Sequence, residues 1–148
     1  MHTQNKNGWR SRMDGIRSAK AAHFCTSCMH QQTENWLKAA CPSCGGHGSR
    51  VYMKSEVELK RAAELILQVR MKQITDLRFQ PRYDLKVEGR KICTYVSDFE
   101  YRNSDGTMIV EDVKPLKFID KEAKLKIALF DALYARVGLH VTLHKKGA

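Results

Sequence analysis

Two groups of residues carry ligand chemistry. The first is Cys25-Thr-Ser-Cys28, followed after twelve residues by Cys41-Pro-Ser-Cys44-Gly-Gly. A two-residue gap lets a tight turn aim both sulfurs of a pair at one point, and two such pairs supply the four thiolates of a tetrahedral zinc ion. Gly45 is expected to relieve the crowded backbone that follows the second pair. Two disulfides are the competing reading, disfavoured where thiols are kept reduced, and a thioredoxin-like redox role needs only one pair. A closed four-sulfur set leaves no open coordination position, so zinc bound there holds shape and does no chemistry. His23, His30 and His47 flank the pairs and read as surface residues, while Cys93, in the apolar run KICTYV, reads as a small buried hydrophobe.

The second group lies in SDFEYRNSDGTMIVEDVKP, residues 97 to 115. Residues two apart on a strand share a face, so Asp112 and Lys114 project together, and Glu111 is expected to lie exposed on the opposite side with Val113. Asp98 sits on the preceding antiparallel strand and can approach Asp112 across the ladder. Two close carboxylates repel unless something positive lies between them. Mg²⁺ (or Mn²⁺) meets that demand with oxygen ligands, bridges carboxylates to a phosphate oxygen and makes a bound water more nucleophilic. Lys114 then orients or deprotonates that water, or offsets charge on the phosphorus centre. The plain alternative is that these charges are the solvent face of an amphipathic hairpin.

The flanking pattern predicts the elements that hold these residues. A helix is expected from near Ser55 to about Lys72, with Val57, Ala62, Leu65, Ile66 and Val69 as its apolar stripe. Ser55 and Glu58 form an S-x-x-E capping box at its start. FQPRYDLKV, the turn EGR and KICTYVSDFEY read as a hairpin, and after the loop NSDG the run TMIVEDV adds a third antiparallel strand. Pro115 ends it. A second helix runs from Asp120 to Val137 with Ile127, Phe130 and Leu133 or Tyr134 inward, Gly138 closes it, and LHVTL follows as a strand. That helix is a crossover of the kind joining parallel strands, giving an αβββαβ order and a mixed α/β (α+β) sheet.

With 148 residues, of which 43% are hydrophobic, the chain has room for one core and a small appendage. The expected division is a basic arm at 1–22, a zinc ribbon at 23–50 and the αβββαβ core at 51–148. The formal charge is +10, and residues 1 to 50 hold seven Lys/Arg against two Asp/Glu, a net of +5. A polyanionic partner follows from that balance, with Lys6, Arg10, Arg12, Arg17 and Lys20 as sequence-independent phosphate contacts. The sequence shows neither an apolar run of membrane-spanning length nor a secretory signal, so a cytoplasmic location is expected.

The motif order resembles the PD-(D/E)XK nuclease superfamily, whose shared core is αβββαβ. The closer likeness is to a phage-encoded, endonuclease-like family with motifs S-x-x-E, L-x-x-Q-P, D-F and E-D-V-K. Here they are Ser55 with Glu58, Leu77 with Gln80-Pro81, Asp98-Phe99, and Glu111 to Lys114. TnsA-type transposon-end endonucleases and phage Holliday-junction endonucleases are similar at greater distance. Ser97 stands where the superfamily has proline, and Asp112 where glutamate is commoner. The resemblance covers roughly Tyr52 to Leu143 and leaves the zinc module outside. It implies a Mg²⁺- or Mn²⁺-dependent DNA endonuclease working in the host cytoplasm. Asp98 and Asp112 would hold the metal, the Val113 carbonyl would complete the set, Glu58 would bind directly or through water, and Lys114 would assist the nucleophile. Gln80 and Glu111 are second-tier candidates. Glu58 has an equal claim as a helix cap. One site cuts one strand, and no base-reading helix is apparent, so a homodimer acting on branched or flapped DNA is expected. The alternative is a non-catalytic zinc-ribbon adaptor in a replication, recombination or transcription complex.

Overall fold

The computed structural model of the chain describes residues 22–32, 40–46, 50–114 and 119–145. The cations Lys6, Arg10, Arg12, Arg17 and Lys20, together with His47 and Pro115, lie outside the described residues. The chain divides into two compact units, Met1–Lys60 and Arg61–Ala148. No helix among the described residues is long and apolar enough to cross a membrane.

In the first unit, β1 (Ala22–Cys25), β2 (Gln31–Gln32) and β3 (Arg50–Met53) form an antiparallel sheet in the order β2-β1-β3. Ala22, Phe24 and Cys25 of β1 and Met53 at the end of β3 are its buried residues. Residues 51–53 open the region that the sequence assigns to the larger module, yet their ladder belongs to this sheet. Helix α1 spans Glu56–Arg70. It buries Leu59, Ala62, Leu65 and Ile66. Val69, expected in that stripe, is 38% exposed and Val57 is half-buried, because the buried arc runs through Leu59 instead.

In the second unit the strands are β4 (Ile74–Phe79), β5 (Arg82–Val87), β6 (Arg90–Val96), β7 (Phe99–Asn103), β8 (Met108–Lys114) and β9 (Val141–Lys145). A mixed four-stranded sheet runs β4-β7-β8-β9, with β9 parallel to β8 and the other pairs antiparallel. The crossover expected from the sequence is present as α2 (Lys121–Tyr134) and a 3-10 turn (Ala135–Val137). Asp120 caps α2 by accepting the Ala123 N–H at 2.7 Å, and Gly138 closes the turn at φ 76°.

The hairpin departs from its expected form. Among the described residues β5 and β6 pair only with each other, and the run KICTYVSDFEY breaks at Ser97-Asp98. The Gln80 N–H to Asp98 carbonyl bond at 2.9 Å and the Ser97 N–H to Pro81 carbonyl bond at 3.3 Å still join the two arms across the break. The break has a local cause: Gln80 has φ 50° and Pro81 has no N–H to give the ladder. The first arm also begins at Ile74 rather than Phe79. A bulge between Thr75 and Arg78, with Asp76 at φ 56°, hides its alternation from the sequence. The turn is Glu88-Gly89, both at positive φ (49° and 79°), as a two-residue hairpin turn requires.

The core of this unit gathers Leu85, Tyr95, Val110 and Phe130, with Ile127, Leu133 and Tyr134 packed around them as the α2 stripe predicts. Phe130 stacks on Tyr134 at 4.6 Å and meets Tyr83 edge-on at 5.0 Å. Cys93 is half-buried against this cluster.

Candidate functional site

Cys25, Cys28, Cys41 and Cys44 bring their sulfurs within 4.8 Å of one another. Cys25 lies 3.7 Å from Cys44, and Cys28 lies 3.7 Å from Cys41. A zinc ion with Zn–S bonds of about 2.3 Å sets its tetrahedral sulfurs about 3.8 Å apart, so the cluster is compatible with zinc, and the spacing is far beyond a disulfide bond. The two turns repeat one another. Cys25 N–H donates to the His30 carbonyl and Met29 N–H to the Cys25 carbonyl; Cys41 N–H donates to the Gly46 carbonyl and Gly45 N–H to the Cys41 carbonyl. Met29 at φ 64° therefore takes the left-handed position that Gly45 holds at φ 70°. The crowding expected at Gly45 falls on Gly46, where a Cβ would come 3.3 Å from the Cys44 sulfur. A hydrogen bond with the His30 backbone lowers the Cys28 thiol to about 7, favouring a thiolate ligand. His23 is half-buried beside Tyr52, and His30 bonds Gln32, so neither joins the sulfur cluster.

The strand β8 presents two buried carboxylates on opposite faces. Glu111, expected to be exposed, is 2% exposed. Its Oε1 accepts Arg61 Nε at 2.6 Å, and its Oε2 accepts Arg61 Nη2 at 2.8 Å and the Tyr101 hydroxyl at 2.7 Å. The sequence reading fails here because it assigned the second face of the sheet to solvent, whereas α1 supplies Arg61 to it. The bidentate pair is the geometry in which a buried ion pair recovers its desolvation cost. Glu111 holds the Arg61 charge still more firmly than usual, and burial, then Glu111, pushes the Tyr101 hydroxyl up to about 12.

Asp112, at 1% exposure, faces the other way. Tyr95 donates its hydroxyl to Asp112 Oδ2 at 2.9 Å, and Lys114 Nζ lies 3.1 Å from the same oxygen. Oδ1 is buried and has no hydrogen-bond partner among the described residues. An unsatisfied buried oxygen costs about 1–3 kcal/mol, more when charged. A cavity of about 320 Å³ lies over this residue, lined by Thr94, Tyr95, Val96, Asp112, Lys114, Asp120, Glu122, Ala123 and Lys126. Burial first, then the Asp112 charge, raises the Tyr95 hydroxyl well above its ordinary value, so it stays a donor.

Asp98 is half-buried on the approach to β7. Its Oδ2 accepts the Val113 N–H at 2.6 Å, and its own N–H donates to the Glu111 carbonyl at 3.1 Å. Asp98 is thus fixed on the backbone between Asp112 and Lys114. Gln80 lies at the hairpin break, bonded through its N–H to the Asp98 carbonyl. Two residues beyond Asp98, Glu100 is also buried, accepting the Tyr83 hydroxyl and, at 3.0 Å, Arg78 Nη1. Sequence reasoning missed Glu100, although its parity with Asp98 marks it. Tyr83, Tyr95, Arg61 and Arg78 gave no such signal.

Glu58, in the first unit, is engaged at the start of α1. Ser55 Oγ accepts the Glu58 N–H at 3.2 Å, while the Glu58 carboxylate accepts the Lys54 N–H at 2.9 Å and the Ser55 hydroxyl at 3.2 Å. This is the capping box that the sequence predicts, with the carboxylate reaching one residue further back.

No curated protein and no solved structure matches the chain. The family model that matches spans residues 49–146, well over half of the sequence, and by that match the chain belongs to the family described as Protein of unknown function (DUF1064).

Proposed function

We propose that this protein is a divalent-metal-dependent DNA endonuclease whose active centre is built on Asp98, Asp112 and Lys114. The observation that carries the reading is the buried Oδ1 of Asp112, without a hydrogen-bond partner among the described residues, beside a cavity. A hard oxygen with both neighbouring donors spent on Oδ2 suits Mg²⁺ or Mn²⁺, which binds through one or two carboxylates and keeps several waters. Asp112 and Asp98, with the Val113 carbonyl, would hold the ion. When bound, such an ion supplies Lewis acidity and a more acidic water.

The chain's own residues do the rest. Tyr95 and Lys114 fix the Asp112 carboxylate by its Oδ2. Lys114, 27% exposed, has further N–H donors for a phosphoryl oxygen as charge builds on it. Hydrolysis adds a water oxygen to phosphorus and breaks one bridging P–O bond, leaving a phosphomonoester and a hydroxyl. Glu58 caps α1 and is the further candidate ligand. A single such centre cuts one strand, so cutting two strands at a junction calls for two successive cleavages or a second copy of the chain.

The direct test incubates labelled single-stranded, duplex, flap and four-way DNA, and RNA, with Mg²⁺ or Mn²⁺. Metal-dependent cleavage of DNA that prefers the branched forms is expected. Binding without cleavage by any form would instead make the protein a nucleic-acid adaptor.

Zinc fills the four-cysteine cluster in this reading, as a structural ion. A loop-rich module this small buries too little apolar area to order itself, so chelation or Cys41→Ser is expected to release about one Zn²⁺ per chain and loosen residues 22–53. Metal analysis of reduced protein finding no zinc would sink the assignment.

A further inference from the structure

The β5–β6 ribbon carries two tyrosines on one face, Tyr83 directly opposite Tyr95, with their rings stacked at 6.3 Å. Both pack on Phe130 of α2, at 5.0 Å and 5.3 Å, and Tyr95 is 4% exposed. Each donates its hydroxyl to a buried carboxylate of the four-stranded sheet, Tyr83 to Glu100 and Tyr95 to Asp112. Glu100 sits opposite Val110 across the β7–β8 ladder, and Val110 is two residues from Asp112, so the two acids share one face of the sheet.

The two acids are bonded differently. Glu100 accepts Tyr83 on Oε2 and Arg78 on Oε1. Asp112 accepts Tyr95 at 2.9 Å on Oδ2, and Lys114 lies 3.1 Å from that same oxygen. A carboxylate oxygen has about two lone-pair sites, so two donors fill Oδ2 and leave Oδ1 as the oxygen an ion can use. Of the two donors, Tyr95 is the fixed one. Its ring is held between Tyr83 and Phe130, whereas Lys114 is partly exposed and reaches Asp112 on a flexible four-carbon stem.

A carboxylate limited to one oxygen selects among divalent ions. Ca²⁺ gathers about 6–8 oxygens and often takes both from one carboxylate, while Mg²⁺ demands near-ideal octahedral geometry and keeps several waters. Mn²⁺ shares the octahedral oxygen preference. We propose that Tyr95 is a positioning residue that restricts Asp112 to one-oxygen coordination and so makes the site discriminate against Ca²⁺. The proposal rests on the metal site of the endonuclease reading, and adds to it which ion the site disfavours and through which group.

The test is calorimetric titration of the full chain with Mn²⁺ and with Ca²⁺, without DNA. Wild type is expected to bind Mn²⁺ more tightly than Ca²⁺, and Tyr95→Phe to shrink that ratio by about tenfold, the lower end of what loss of a ligand's hydrogen-bond partner costs in metal affinity. Tyr83→Phe removes the matching hydroxyl from Glu100 in the same ring cluster, so it should keep the wild-type ratio whatever it does to the melting temperature. An unchanged ratio in Tyr95→Phe, an equal shift in Tyr83→Phe, or wild type that binds Ca²⁺ as tightly as Mn²⁺ overturns the proposal. Wild type that binds neither ion overturns the metal site and the proposal together. The expected ratios in a protein that cuts no nucleic acid with Mg²⁺ or Mn²⁺ overturn the endonuclease reading and leave the ion discrimination standing.

Discussion

Glu111 and Asp112 are consecutive, both almost fully buried, and differently equipped. Glu111 has each oxygen bonded by Arg61, with Tyr101 added to one of them. Among the described residues, Asp112 has both of its donors on one oxygen and none on the other. A buried charge that is fully bonded is a structural device, since its desolvation is offset within the fold. A buried charge left half-bonded is destabilising and is retained where something outside the chain completes it. The two faces of β8 therefore divide the labour: α1 ties down one, and the cavity opens on the other.

The largest expected effect tests the structural side. Glu111→Gln should destabilise the fold by about 3–5 kcal/mol in urea unfolding, because it leaves the buried Arg61 charge uncompensated. The pair replacement Arg61→Met/Glu111→Leu should recover most of that loss. If Glu111→Gln cost no more than a surface change, the division between the faces would be wrong.

Asp112→Asn should behave oppositely. Its unfolding free energy should stay within about 1 kcal/mol of wild type, since a half-bonded charge is removed. Mn²⁺ binding and most DNA cleavage should be lost. Lys114→Ala should spare metal binding and slow cleavage by about a hundredfold. Full cleavage by Asp112→Asn would move the active centre elsewhere.

A smaller effect concerns pH. The folded-state value for Tyr101 is raised from 10.0 to about 12, so its contribution is complete below the unfolded value and is lost as pH climbs from 10 to 12. Tyr101→Phe should flatten the stability curve over that window relative to wild type. Parallel curves would detach Tyr101 from the Glu111 cluster.

The smallest expected change in stability separates the two roles of Glu58. Glutamine also serves in a capping box, so Glu58→Gln should melt close to wild type. Reduced Mn²⁺ affinity in this variant would make Glu58 a metal ligand as well as a cap. Unchanged affinity and cleavage would confine it to the cap.

What the sequence determined by itself is what lies within a few residues. Two Cys-x-x-Cys turns fix sulfur pairs locally, Ser55 and Glu58 close a cap within one helical turn, and strand parity puts Asp112 and Lys114 on one face. The helix between β8 and β9 likewise forces their parallel pairing. Tertiary structure decided which of those groups are satisfied. Arg61 reaches Glu111 from another element, Tyr95 reaches Asp112 from a ribbon outside the main sheet, and Gln80 breaks the hairpin that periodicity drew as continuous. A residue's face is set by the backbone period, but the partners of a buried charge come from wherever the chain returns in space. For that reason Glu111 and Asp112 look alike in sequence and differ in the fold.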